Sequence, residues 1–176
     1  MRFLTDTMHT ELKTPGLWRR MACWLYEGML LIGVVFAAGL VFSVLSDTRH
    51  ALQSPNLLFG FLVVIVGIYC TWFWTRGQTL AMKTWHIRVV DSQGHPLSQA
   101  RALRRYAWSW IWVLPPLAMY PIFQLSLSEL SVITTGWVIV WALLSRFHPK
   151  GQFWHDAVSG TQLVTSQPRT VKALDL

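Results

Sequence analysis

Glu27 is the residue whose chemistry most needs explaining. It stands at the head of a stretch, Gly28 to Ser46, that holds no Asp, Glu, Lys, Arg or His. A carboxylate placed inside an apolar helix is costly, and it faces protein or a water-filled cavity. There it can titrate and carry an ion, or be one half of a fixed ion pair. The sequence leaves both open. Arg20 is its natural partner. Seven residues make close to two helical turns, so both side chains share a face, and helical side chains lean toward the N-terminus. The axial gap is about 10 Å, which leaves room for a water or a second basic group. Arg76, Lys83 and Arg101 are the candidates for that group. Asp156, in Phe153-Trp154-His155-Asp156, is the other acid of interest. It has the choice of binding a loop arginine or capping a helix or turn.

Other constellations carry less. His148, His155 and Asp156 match no zinc spacing, so no metal site is expected. Gly77-Gln78-Thr79-Leu80-Ala81-Met82-Lys83-Thr84 has the outline of a phosphate-binding loop, but Met82 stands where that motif needs Gly just before the Lys. A short amphipathic turn at lipid headgroups fits it better. Cys23 and Cys70 have no redox partner in sequence. No nucleophile–base arrangement argues for an enzyme, and no cofactor is expected.

The elements that position these residues follow from where charge is missing. Hydrophobic residues make up 53% of the 176 and charged residues 13%, against about 25% charged in soluble domains. That excludes a disordered chain, and two Cys exclude a disulfide scaffold. Four stretches lack any charged residue or His: Gly28–Ser46, Ala51–Thr75, Tyr106–Ser128 and Leu130–Ser145. A helix crosses a bilayer core with about 20 apolar residues. The expectation is an all-α membrane protein with four transmembrane helices near 23–46, 57–75, 105–126 and 128–145. Four buried helices in a soluble protein of this length would lack a polar shell. The first run is also longer than the roughly 7–15 apolar residues of a signal peptide, so it is read as retained.

The net charge of +7 suggests nucleic acid until the cations are placed. Fourteen of the 15 Lys and Arg precede the first helix, lie between the second and third, or follow the fourth. Only Arg49 lies in the first link. By the positive-inside rule both termini and the central loop are cytoplasmic, and no nucleic-acid partner is expected. Trp18, Trp24, Trp72, Trp74, Trp108, Trp110, Trp112 and Trp141 all fall toward that same side, as an interfacial aromatic belt does.

The cytoplasmic loop 76–104 is long enough to be structured. Trp85 to Val90 reads as a strand, Asp91-Ser92-Gln93-Gly94 as a turn, and Ser98 as the N-cap of a helix. Thr161 to Thr165 is a second strand candidate that would pair with 86–90. Pro115, Pro116 and Pro121 predict a kink around 111–116, since the freed carbonyls need new partners. Gly33 and Ala37 give a small-residue spacing suited to a close helix contact. Residues 1–14 and 166–176 are expected as cytoplasmic tails around a membrane domain at 15–165.

Together these pieces resemble the RDD family of bacterial membrane proteins, named for one arginine and two aspartates. The blocks are Pro15 to Glu27, then Gly77 to Lys83 with Ile87-Arg88-Val89-Val90-Asp91, then His155 to Thr161. The resemblance places Arg20 on the family arginine and Asp156 on the final aspartate. Glu27 falls where the family has its first aspartate, keeping the charge on a side chain one carbon longer. Ala81 replaces a frequent glycine. What the resemblance implies is a multi-pass protein of the bacterial inner membrane that transports an ion or small solute, sodium–proton exchange being one suggestion. The other expectation is a non-transporting structural or assembly partner of a larger membrane complex. Expected partners are the lipid bilayer and either further copies of the chain or other membrane proteins.

Overall fold

The computed structural model describes residues 13–45, 55–147 and 151–166. Most of both expected tails, the link carrying Arg49, and His148 and Lys150 lie outside the described residues.

Helix α1 runs Leu17–Leu45. It starts well before the expected residue 23, because the Arg20 amide already donates to the Gly16 carbonyl at 3.1 Å. Arg19 and Arg20, expected ahead of the first helix, therefore lie within it. Helix α2 spans Pro55–Thr75, with Pro55 in a first turn that needs no amide there. A turn at Gly77, with φ +91°, leads to the short helix α3 (Leu80–Thr84) and strand β1 (Ile87–Asp91).

The third charge-free stretch is not one helix, contrary to the expected 105–126. Helix α4 covers Gln99–Ser109, a single 3-10 turn follows at Trp110–Trp112, and helix α5 covers Leu114–Phe123. Pro115 and Pro116 have no amide to offer the preceding turn. The Ile111 carbonyl accepts instead from the Trp137 indole at 3.0 Å. The predicted kink is a full break. Ser98 takes the N-cap position of α4 but makes no side-chain capping bond. Helix α6 (Leu127–Leu144) starts at a capping box, in which Ser126 and Glu129 satisfy each other's amides. A 3-10 turn at Ser145–Phe147, helix α7 (Trp154–Val158) and strand β2 (Thr161–Thr165) complete the chain.

Three helical stretches are long and apolar enough to cross a membrane: Leu17–Leu45, Pro55–Thr84 and Leu127–Phe147. At most 17% of their most apolar windows is buried inside the protein, so their outer faces suit lipid. Helix α5 is apolar, yet its 10 residues reach only about 15 Å, half a bilayer core.

The expected strand pairing is present. Strands β1 and β2 are antiparallel, with Ile87 opposite Thr165 and Asp91 opposite Thr161. The expected turn follows β1: Asp91 Oδ1 accepts the Gln93 and His95 amides at 2.8 and 2.9 Å. The Thr165 amide donates to the Lys13 carbonyl at 2.9 Å. The chain before α1, the chain after α2 and the chain after α6 thus meet in one layer. The core lies in and just above that layer, around Trp74, Met82, Ile87, Val89, Leu97, Trp112, Phe153 and Leu163.

Candidate functional site: a hydroxyl-bound glutamate and a buried arginine–aspartate pair

Glu27 projects from α1 toward α2 and the start of α3. The Tyr69 hydroxyl donates to its Oε1 at 2.9 Å, and the Thr79 hydroxyl donates to Oε2. Thr79 does double duty. Its oxygen also accepts the Met82 amide at 3.2 Å, which caps α3. Local helix capping therefore fixes the hydroxyl that Glu27 uses. The carboxylate is half-buried and held by two neutral donors from two different elements.

None of the expected cations reaches it. Among the described residues no ion pair includes Glu27. Arg20 lies instead against the Phe153 ring, 4.4 Å from its centroid. The axial gap to Glu27 is not bridged, because that aromatic face takes the guanidinium in the other direction. Arg76 stacks over Trp72 at 4.1 Å. Arg101 bonds Asp91 Oδ2 at 2.6 Å, and Lys83 is exposed on α3.

Asp156 is fully buried, and it does bind an arginine of the preceding loop region. The arginine is Arg105 of α4, which donates to Asp156 Oδ1 and, at 3.1 Å, to the Thr161 hydroxyl. His155 Nε2 lies 3.0 Å from the same carboxylate oxygen. The Trp112 indole donates to His155 Nδ1 at 3.1 Å, so the hydrogen-bond pattern assigns the imidazole proton to Nε2, facing Asp156. Arg105 also stacks over Trp74, 4.7 Å from the ring centroid. Burial by itself would push the Asp156 carboxyl up. Arg105, then His155, then the more distant Arg20 outweigh it and hold the carboxyl below its ordinary range. At Asp91 burial likewise opposes charge, and the His95 and Gln93 amides with Arg101 overcome it.

Two separate groupings therefore emerge, and Arg20 is not with Glu27 as expected. Arg20 and Asp156 converge near Arg105, and Glu27 stands apart with hydroxyls. A model of the RDD family matches residues 14–160. The chain belongs to the RDD family. No curated protein and no solved structure matches it. In this RDD-family chain the matched stretch contains Arg20, Glu27 and Asp156, and the cluster of Arg105 with Asp156 ties α4 to α7.

Arg105, Tyr69 and Thr79 were not singled out from sequence. Arg105 had one visible signal, a charge at the boundary of an apolar stretch. Thr79 had another, since a Thr ahead of a short helix invites capping. Tyr69 had none, because its role depends on which helix packs beside it. Among the described residues no group of three His, Cys, Asp or Glu could hold a metal. Cys23 and Cys70 are buried and free.

Proposed function

We propose that this RDD-family protein moves an ion, a proton or sodium, across the bacterial inner membrane, with Glu27 as the group that binds and releases it. One observation carries the reading. Glu27 lies within a membrane-crossing helix, and its only side-chain partners among the described residues are the Tyr69 and Thr79 hydroxyls. A carboxylate beside neutral oxygens suits a proton or a hard cation. A carboxylate closed by arginine would not be open to either. Arg20 does not tune this acid by contact; the two hydroxyls take that part.

Four crossings with both termini in the cytoplasm belong to the same reading. Lys13, β1 and β2 share one layer. A chain that leaves that layer after β1 and returns at β2 crosses an even number of times. Helix α6 is one crossing. The run from Tyr106 to Phe123, uncharged throughout and about 27 Å long at helical rise, would be the other, broken at the proline pair. So thin a bundle calls for an oligomer if an ion is to be shielded from lipid.

The rival reading is an assembly partner without flux. Its support is the Arg105–Asp156 cluster, a fully buried pair that acts as a lock between α4 and α7. Reconstitution into vesicles separates the two. Wild type should carry a pH- or sodium-driven flux, and Glu27→Gln should insert equally well and lose it. Equal insertion with no flux from either protein sinks transport of these ions. Failure of Glu27→Gln to assemble at all favours the lock.

A further inference from the structure

A second polar feature lies at the opposite end of Arg20's neighbourhood from Glu27. An open cleft of about 440 Å³ sits at the start of α1. Its wall includes Pro15, Gly16, Leu17 and Arg20 on one side and Ser145 and Arg146 on the other. Among the described residues no acidic one lines it.

Three independent features make the cleft positive. The first is the helix end. Helix α1 is 29 residues long and has no acidic residue in its first turn. Gly16 precedes it, so no side-chain oxygen caps it from that position. Its first amides lack intrahelical acceptors, and the aligned peptide dipoles add positive potential there. The second is Arg20. It is only 5% exposed, and its Nε and Nη1 are sealed from the surface with no hydrogen-bond partner. The nearest acid, Asp156, is already bonded by Arg105 and His155. A buried guanidinium with two unused donors is costly, and the Phe153 face supplies no acceptor. The third is Arg146, exposed on the facing 3-10 turn.

We infer that this cleft binds a phosphate-type oxyanion. Oxygens bearing charge would accept from the α1 amides and, with a small turn of the side chain that brings its free donors into the cleft it lines, from the Arg20 guanidinium, the combination that anion sites at helix ends use. Arg146 closes the site from the other wall. Two sources offer that chemistry, the headgroup of an anionic phospholipid and a free phosphate in the cytoplasm. The cleft lies where two membrane-crossing stretches meet their polar ends, flanked by Trp18 at 84% exposure and Phe147 at 81%. This is headgroup level, within reach of both. The inference does not depend on whether Glu27 carries an ion.

The test uses the full chain in a neutral detergent, titrated separately with phosphatidylglycerol and with inorganic phosphate, and reads the thermal unfolding midpoint. Arg146→Gln is the working variant, because an exposed arginine can be replaced without unfolding the protein. Arg104→Gln, also exposed but on α4, is the control. Wild type should be stabilised by at least one probe. Arg146→Gln should need about tenfold more of it, the loss of one charge-assisted hydrogen bond, while Arg104→Gln should behave as wild type. Stabilisation by the lipid alone assigns a headgroup, and stabilisation by inorganic phosphate as well assigns a soluble anion. The inference is overturned if neither probe raises the midpoint, or if Arg146→Gln responds as wild type does. It also fails if Arg104→Gln weakens the response equally, since diffuse surface charge would then explain it.

Discussion

Asp156 shows what keeps a carboxylate charged where no water reaches it. Burial opposes the charge, and Arg105, His155 and Arg20 together overcome that opposition. Removing one partner of such a pair strands the other. Asp156→Asn should therefore cost about 3–5 kcal/mol of stability at neutral pH, read from unfolding of the detergent-solubilised protein. The pH dependence has a definite sign. A carboxyl whose folded pKa is depressed contributes stability that is full above its unfolded value, near the ordinary 3.8, and is lost as pH falls through the lower folded value. Wild type should lose stability below about pH 3.8, and the gap to Asp156→Asn should narrow there. A gap that stays constant between pH 7 and pH 3 would show that the pair is not the source. The sequence marked Asp156 and Glu27 as acids to explain but could not assign their partners. Arg105, Tyr69 and Thr79 come from other elements, and nothing local in either acid's segment records which of them arrives.

The elements were more legible, because their signals are local. The charge-free runs mark α1, α2 and α6, and Pro115-Pro116 marks the interruption between α4 and α5. The extent of that interruption was hidden. It depends on Trp137 reaching the Ile111 carbonyl and on Trp112 bonding His155, both tertiary contacts. Close helix approach was also misplaced. Gly33 has no atom within 4 Å of where a Cβ would stand. Gly67 of α2 does: the Tyr106 ring of α4 would lie 2.9 Å away. Tyr106 cannot easily retreat, since its hydroxyl donates to the Val63 carbonyl at 2.7 Å. Gly67→Ala should cost about 1–3 kcal/mol through overpacking. Gly60→Ala, in the same helix with open space around it, should be neutral or slightly stabilising. Equal unfolding midpoints for the two variants would remove Gly67 from the α2–α4 contact.

At the scale of the whole molecule, the positive charge is segregated from the apolar helices. The described cations gather in or beside the layer built from β1, β2 and the short helices. Their strict alternation with apolar runs was readable from sequence alone. The crossing number was not, since α5 is too short to count by length. Single cysteines settle it: Lys13→Cys, Arg49→Cys and Ser166→Cys, each in a background lacking Cys23 and Cys70. An impermeant maleimide applied outside sealed cells should label only the Arg49 position. Labelling of one terminus and not the other would mean three crossings and would end the four-span arrangement.

The joined layer also sets an order of events. Strand β1 is made early, yet its partner β2 lies beyond α6. The Lys13 carbonyl waits for the amide of Thr165, and Arg105 waits for Asp156. The β1–β2 pairing and the Lys13 contact cannot form until residues 161–165 are made, although Arg19 already reaches the Trp85 and His86 carbonyls. A chain stopped short of residue 165 would hold inserted helices above an unpaired strand edge and an unneutralised buried arginine. Closure of the layer is thereby coupled to the arrival of β2, and a chain halted before it presents an open strand edge.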